Sequence, residues 1–591
     1  MSLTCGIYAL HPRTALPNSW RLHLRARLNR GDSGTIAEFN DRRLFALKLD
    51  INAFDSPGWT VDDRHVTALS GDGIFTSDGE ARDRADDMAT LALATSAELR
   101  PILLGSRGYF NLVRYDRADG SLILAVDRVG VRSLYIYSDG NVLVFAGAIR
   151  LIESLPGIRL TVDLRGVFET ASFGVPLGER TRYREVQCLR GGTLLRFGNG
   201  QEIHDRYWKF DRDACTQVTP DIDTTVDALY AEFGNAVALR AGRRKAVFSA
   251  LSGGLDSRGV TAELRRLGLD VHAINVSWPN SQDDVLGRMV AEKLGVIYHH
   301  APRPIEESGN SLSRRLCRLL SEKAALCVDL PSTPRQLWSG NGGSLGIGHT
   351  KMTREATSLL NAGDAAGAAS HFIHAIKFNL SGKLLRGSIA RWAEALPFSS
   401  LMAEIDQIHC AEPARTLYVF RMEHDQRRLL AFHFEQIDLV PFEFVEPLFD
   451  PEVLRIACRL PMDYCLYHHM YHDWLKRFPP EVLSVPWQVY PGHEPCPIPL
   501  PPGVFDQWRT PRRMSGLRVR YDAVGGALRF LLRLRRYRSV FRAERVFAAY
   551  ALHALQLRDT AHLQKQVDLL GDALAHTAIP IEAPIPASQP D

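Results

Sequence analysis

The run Lys245 to Ser257, Lys-Ala-Val-Phe-Ser-Ala-Leu-Ser-Gly-Gly-Leu-Asp-Ser, constrains this chain more than any other segment. Its first half is an apolar, strand-like stretch, and its second half is a small-residue turn opening a helix near Arg258 to Leu267. Gly253 and Gly254 let a backbone approach a ligand closely and aim its N–H groups inward, while Ser252 and Ser257 add hydroxyl donors. Together with the positive end of the following helix, this predicts a phosphate cradle. Asp256 is the odd member, since a carboxylate beside phosphates repels them unless a divalent cation lies between. It is therefore assigned to Mg²⁺. The Gly-Lys-Ser/Thr ending of a Walker A loop is missing. An ordinary strand-to-helix turn is the competing reading.

A chain of 591 residues is too long for one core and predicts two or three domains. The formal net charge of +4 gives no bulk argument for a nucleic-acid or membrane partner. Nine cysteines, none in a Cys-x-x-Cys pair, fit neither a disulfide framework nor a zinc cage and predict a reducing, cytoplasmic setting. The start, Met1 to Gly6, lacks a signal pattern, and no apolar run is long enough to span a bilayer.

The first 210 residues carry short β-rich runs, such as Leu122 to Val126, Leu134 to Tyr137 and Val142 to Phe145, with Asp119-Gly120 and Asp139-Gly140 placed as hairpin turns. A polar stretch, Asp211 to Asp223, marks a linker. Beyond it Val226, Leu229, Tyr230, Phe233 and Val237 recur at helical spacing. Strand-like and helix-like segments then alternate: Ala246 to Leu251, Arg258 to Leu267, Val271 to Val276, Asp283 to Leu294 and Val296 to His299. This alternation predicts a parallel sheet covered by helices, with its ligand site beyond the C-terminal strand ends. The expected domains are residues 1–210, 222–500, a basic helical extension over 501–577 and a Pro-rich disordered tail over 578–591. The arginine-rich stretch Arg509 to Arg545 fits either a solvated, paired helix surface or a basic face for RNA, an acidic substrate or a membrane.

Several ordered motifs match one family. Cys5-Gly6-Ile7, Arg30-Gly31, Tyr109-Phe110-Asn111-Leu112, Asp127 to Tyr135 and Phe145 to Ile149 follow one another in the first half. Ser252-Gly253-Gly254-Leu255-Asp256-Ser257, Ser339-Gly340-Asn341-Gly342-Gly343 and the set Glu443, Pro447, Leu448 and Asp450 follow in the second. The chain thereby resembles glutamine-dependent asparagine synthetase and its relatives, which include β-lactam synthetases and lasso-peptide cyclases. The resemblance implies a multidomain α/β and α+β fold. An N-terminal Ntn-hydrolase-like antiparallel sandwich would be followed by a PP-loop ATPase parallel sheet, of the adenine nucleotide α-hydrolase type, with a helical extension.

It also implies an ATP-dependent ligase that adenylates a carboxylate, releasing pyrophosphate, and forms an amide with ammonia, glutamine-derived nitrogen or a substrate amine. ATP and Mg²⁺ are the implied cofactors, and a small-molecule or peptide carboxylate is the implied partner. ATP and pyrophosphate would be held by Leu251, Ser252, Gly253, Gly254, Asp256, Ser257, Val276, Ser277, Ser339 and Gly340, with Asp256 both catalytic and metal-binding. Arg30, Ser70, Gly71 and Asp72 would bind glutamine, and Cys5 would be the nucleophile if processing makes it N-terminal. A homodimer is left open. An impaired ATP-binding scaffold and an RNA-modifying PP-loop enzyme are the alternatives.

The chain departs from that pattern in informative places. Four residues precede Cys5, and Ser70-Gly71-Asp72 replaces Asn-Gly-Glu. The family's second acidic metal ligand is lost where Gly343-Ser344-Leu345 stands in its place, and its lysine would fall near Val485 to Gln488, where none occurs. Arg258, His349, Lys351, His468, His469, His472 and His493 are the basic groups near enough in sequence to stand in for that lysine. The interval from Pro334 to Ser339 is too short for a helix and a strand.

Overall fold

The computed structural model describes residues 2–28, 34–54, 56–75, 83–198, 200–219, 221–302, 322, 335–375, 382–435, 442–504, 516–538, 540–558, 560, 563–564, 567–568 and 570. Its contacts divide the chain into two compact units. The first comprises Met1–Pro156, Leu189–Thr357 and His409–Thr510; the second comprises Gly157–Cys188, Ser358–Ile408 and Pro511–Asp591. Arg30, Gly31 and the tail 578–591 lie outside the described residues.

Two antiparallel sheets form from β1 (Leu3–Ala9), β2 (Thr35–Asn40), β3 (Leu44–Asp50), β4 (Trp59–Val61), β5 (His65–Gly71), β6 (Phe110–Asp116), β7 (Leu122–Val126), β8 (Tyr135–Ser138), β9 (Val142–Ala146), β10 (Val186–Cys188), β11 (Thr193–Gly198) and β12 (Gln201–Arg206). Their strand orders are β10-β8-β9-β1-β3-β2 and β12-β11-β7-β6-β5-β4. The expected hairpins are present: β6 pairs with β7 across Gly120 and β8 with β9 across Gly140, and both glycines have positive φ (70° and 86°), as tight turns require. Alternation along the strands sends Tyr8, Leu44, Ala46, Val113 and Phe145 into one core with Leu122, Leu124 and Val126.

The third sheet is parallel, in the order β15-β14-β13-β16-β17, built from β13 (Ala246–Ala250), β14 (Asp270–Ser277), β15 (Ile297–Pro302), β16 (Gln336–Trp338) and β17 (Glu443–Val445). The short interval before Ser339 does hold a strand, because three residues are enough for β16 to pair with β13 and β17. The helix Ile222–Ala241 starts at Asp221, whose side chain accepts from the Thr224 N–H, and it buries Val226, Leu229, Phe233 and Val237 against the helices Leu255–Arg266 and His469–Leu475. Among the described residues no helix is long and apolar enough to cross a membrane.

The second unit has its own core, in which Val167 and Phe168 pack with Leu385, Leu396, Phe530, Val540, Phe541 and Tyr550. The arginine-rich stretch contributes the helix Gly516–Leu532, whose Phe530 is buried while Leu528, Leu531 and Leu532 remain exposed.

Candidate active site

β13 runs straight into the glycine turn, and the helix Leu255–Arg266 begins at its end with Gly254 as the N-cap. The turn is held mainly by its own side chains. The Ser252 N–H donates to Ser257 Oγ at 3.0 Å, and the Gly254 N–H donates to Ser252 Oγ at 3.2 Å. The Gly253 N–H donates to Asp283 Oδ1 at 3.0 Å. Asn275 Nδ2 donates to the Leu251 carbonyl at 2.7 Å, fixing the mouth of β13 against β14.

A second glycine turn packs directly on the first. A Cβ on Gly340 would lie 2.5 Å from the Ser257 nitrogen, and one on Gly343 would lie 2.7 Å from Asp256 Oδ1, so only glycine allows this approach. Between the two turns opens a cavity of about 610 Å³. It extends from Ile274, Asn275 and Val276 of β14, across Leu251, Ser252, Gly254, Asp256 and Ser257, to Leu337 of β16 and Phe444 of β17. Ser339, Gly340, Asn341 and Ser344 line it too, as do Asp283, Gln426 and His433. Strand-end loops of a parallel sheet are where such folds place ligands.

Asp256 faces this cavity with both oxygens engaged. Tyr471 donates its hydroxyl to Oδ1 at 2.5 Å, and Ser344 donates to Oδ2 at 2.6 Å. Burial pushes the Asp256 carboxyl up, and the hydrogen bonds from Ser344 and Tyr471 oppose it. An ionised carboxylate has about four lone-pair sites, so two remain for a cation. One or two carboxylates completed by substrate phosphates is the donor set Mg²⁺ favours. Asp256, with Asp283 lining the same cavity, fits that set.

Of the other sequence-predicted nucleotide residues, Val276 lines the cavity, but Ser277 is buried and donates its hydroxyl to Asn275 Oδ1. Gly253 belongs to the turn and sits against the Gln282 carbonyl. The segment expected to carry a lysine does reach the turn: the Gln488 N–H donates to the Gly253 carbonyl at 3.1 Å, and Gln488 Nε2 donates to Asp283 at 2.7 Å. Asn275, Asp283, Gln426, His433 and Phe444 were not singled out from sequence, although Asn275, a lone amide in a buried strand, carried a signal.

The basic groups near the loop have other commitments. Arg258 is fully buried and donates to the carbonyls of Gly253, Gly254, Val482, Val485 and Pro486, tying the turn to the segment below it. That use corrects the expectation that its charge is available to phosphate. His349 lies buried with its Nδ1 2.8 Å from the Ile347 carbonyl, and burial, then Arg415, brings it down to about 3. His469 and His472 pair with Glu494 at 2.9 and 3.0 Å, and burial brings His468 down to about 3. None of these groups, nor Lys351, lines the cavity. Among the described residues no group of three or more His, Cys, Asp or Glu side chains is placed to hold a metal ion.

In the antiparallel half, Cys5 is fully buried in the middle of β1, paired on one side with Leu47 and on the other with Ala146. Burial pushes its thiol far up. Side chains alternate along a strand, so Thr4 and Cys5 face opposite sides. Thr4 is the one that meets the expected glutamine-binding residues, its Oγ1 lying 2.6 Å from Ser70 Oγ. Ser2 donates its N–H and hydroxyl to Glu443 at 2.7 and 2.5 Å, and Arg132 also bonds Glu443. Gly71 adopts φ 96°, where a Cβ would strike the Tyr109 carbonyl. Burial raises the Asp72 carboxyl against the pull of Arg84. The structure brings Ser70, Gly71 and Asp72 together and leaves Cys5 on the other face.

Known families match these two halves. The glutamine amidotransferase domain family matches residues 86–208, downstream of Cys5 and of Ser70 to Asp72. The asparagine synthase family matches residues 228–324, including the glycine turn. Over 156 residues the chain is 28% identical to asparagine synthetase [glutamine-hydrolyzing] 3 of Bacillus subtilis (strain 168), covering 26% of this chain and 25% of that protein. Over these segments the chain is similar to the asparagine synthetase family. It matches about a quarter of that curated relative's length. Two solved structures share 12% identity with this chain. The allosteric regulatory enzyme of purine biosynthesis is covered over 69% of its chain, against 53% of this one, at a TM-score of 0.24. Glutamine phosphoribosylpyrophosphate amidotransferase from B. subtilis, complexed with ADP and GMP, is covered over 70%, against the same 53%, at 0.23. Likenesses this weak carry no argument. The two domain matches agree with the sheets described: an Ntn-hydrolase-like antiparallel pair followed by a parallel sheet.

Proposed function

We propose that this chain is an ATP-dependent carbon–nitrogen ligase that activates a carboxylate as its acyl-adenylate, releasing pyrophosphate, and transfers the acyl group to an amine. The observation that carries this reading is the close packing of Gly340 on Ser257 and of Gly343 on Asp256, which joins two glycine turns around one cavity at the strand ends. The nucleoside lies over β14 beside Leu251 and Val276, and the phosphates lie along Ser252 to Ser257 with Ser339 and Gly340 opposite. The acceptor carboxylate takes the remaining half of the cavity, over β16 and β17.

In this reading Asp256 holds Mg²⁺, which when bound neutralises the charge of the departing pyrophosphate. Ser252 and Ser257 orient the phosphates, and the N-terminus of Leu255–Arg266 adds its dipole. The walls made by Leu337, Leu430 and Phe444 exclude water from an intermediate that water would hydrolyse. Because Cys5 is buried on the face away from Ser70, the amine arrives as ammonia or as a group on the substrate rather than by glutamine hydrolysis at that thiol. The test is carboxylate-dependent release of AMP and pyrophosphate from ATP over a panel of acids. Wild-type release abolished in Asp256→Ala supports the reading, and an unchanged rate in that variant defeats it.

A further inference from the structure

We infer that His433 is the general base that takes the proton from the attacking amine, with Glu446 and Asn341 as its positioning residues; this rests on the ligase reading above. His433 ends the acceptor half of the cavity, its ring tilted against Phe444 of β17 at 5.0 Å between centroids. Glu446, one residue beyond β17, is fully buried, and its Oε2 has no described hydrogen-bond partner. Its Oε1 lies 3.3 Å from Asn341 Nδ2 and 3.8 Å from His433 Nδ1. Asn341 Nδ2 in turn lies 3.5 Å from His433 Nδ1.

A buried carboxylate without a cation is costly, and a neighbouring imidazole that gains a proton relieves that cost. With the Nδ1 hydrogen directed to the Glu446 carboxylate that Asn341 Nδ2 holds, Nε2 keeps the lone pair left for a ligand in the cavity. The step balances. The amine nitrogen bonds the acyl carbon, the bond from that carbon to the AMP oxygen breaks, AMP leaves with the electron pair, and the amine's proton passes to Nε2. Glu446 then stabilises the imidazolium. Adenylation needs no such base, because its nucleophile is already a carboxylate anion. The two half-reactions therefore separate the role of His433 from a structural one.

The experiment uses the full chain, Mg²⁺–ATP, labelled pyrophosphate, and the acids of the panel with ammonium or hydroxylamine as the amine. His433→Asn is expected to keep carboxylate-dependent ATP–pyrophosphate exchange within about twofold while losing about 10²-fold or more of amide formation with ammonium. With hydroxylamine, which reaches the site largely unprotonated, the loss should shrink to under about tenfold. Glu446→Gln should lower the ammonium reaction in the same way, and the double variant should lose no more than His433→Asn alone, as groups acting in one unit do. Equal losses in exchange and amide formation, or an unchanged ammonium rate in His433→Asn, would overturn the assignment. Absence of exchange in the wild type with every acid would bring down the ligase reading itself, and this inference with it.

Discussion

The hydroxyl of Tyr471 donates to Asp256 Oδ1 at 2.5 Å, linking the helix His469–Leu475 to the carboxylate at the centre of the cavity. Ser344 closes the other side at 2.6 Å. Two hydroxyls are a sparing substitute for charge around a carboxylate whose pKa burial raises. A raised carboxyl pKa means that the folded state binds this proton more tightly than the unfolded one. Stability from this site is present at low pH and falls as pH rises through the folded pKa.

Replacing Asp256 with Asn follows directly from that sign. The amide can accept from Tyr471 and donate to Ser344 Oγ without carrying charge, so Asp256→Asn is expected to raise the apparent Tm of the nucleotide-free protein at pH 8. The same variant should lose about 10²-fold or more of Mg²⁺–ATP turnover. Scanning calorimetry beside an AMP-release assay checks both, and a lower Tm would count against the account of the carboxylate.

The close contact between the two glycine turns predicts that Gly340→Ala forces the turns apart and weakens ligand binding. Its Cβ would meet the Ser257 nitrogen at 2.5 Å, beside the carbonyl carbon and Cβ of Asp256, none of which can swing aside. ATP affinity by titration calorimetry should fall by about tenfold or more, roughly what a 1.4 kcal/mol displacement gives. An unchanged affinity would show that the turns move apart easily.

Asp450 sits fully buried between Arg107 and Arg240, at 2.8 and 2.7 Å. Burial works against its charge, yet Arg240 and Arg107 hold it down at about 2. For a lowered carboxyl pKa the stability is present above the ordinary carboxylate range and is lost as pH falls from about 4 towards 2. Asp450→Ala leaves two buried guanidinium groups unpaired and is expected to cost about 3–5 kcal/mol in urea unfolding at neutral pH. The difference from wild type should narrow in acid; a constant difference would mean the ion pairs are not its source.

Cys5 provides a chemical test of the antiparallel half. A fully buried thiol with a raised pKa is a poor nucleophile. Iodoacetamide at pH 8 should leave it unmodified in the native protein and label it in denaturant, as followed by peptide mass spectrometry. Cys5→Ala should leave ammonia-dependent amide formation within about twofold. Rapid native labelling would indicate that the strand opens.

The parallel sheet was readable because its signals are local. Val226, Leu229, Phe233 and Val237 repeat at helical spacing and indeed share the buried face of Ile222–Ala241. The Asp-Gly dipeptides marked hairpins because few other residues tolerate positive φ there. β16 escaped notice because a three-residue strand in the middle of a sheet has no periodicity to detect; its partners create it.

At the candidate site the balance reverses. Ser252 to Ser257 could be read directly, because a phosphate-binding turn is made of consecutive residues. His433 and Glu446 could not, since they come from separate elements that meet the second glycine turn only in the fold, and nothing local distinguishes His433 from other histidines. Arg258 illustrates the same limit, as a guanidinium beside a phosphate loop in sequence lies buried on five backbone carbonyls in space.

The amino-acid order alone determined the glycine turn, the two kinds of sheet and the family likeness, because backbone conformation and hydrophobic period act over a few residues. Only the tertiary structure decided that Asp256 is met by Tyr471 and Ser344, that Cys5 faces away from Ser70, and that a buried carboxylate stands behind His433. Those outcomes depend on which side chains distant segments bring into the same desolvated space, and there an unmatched charge costs far more than any local preference can supply.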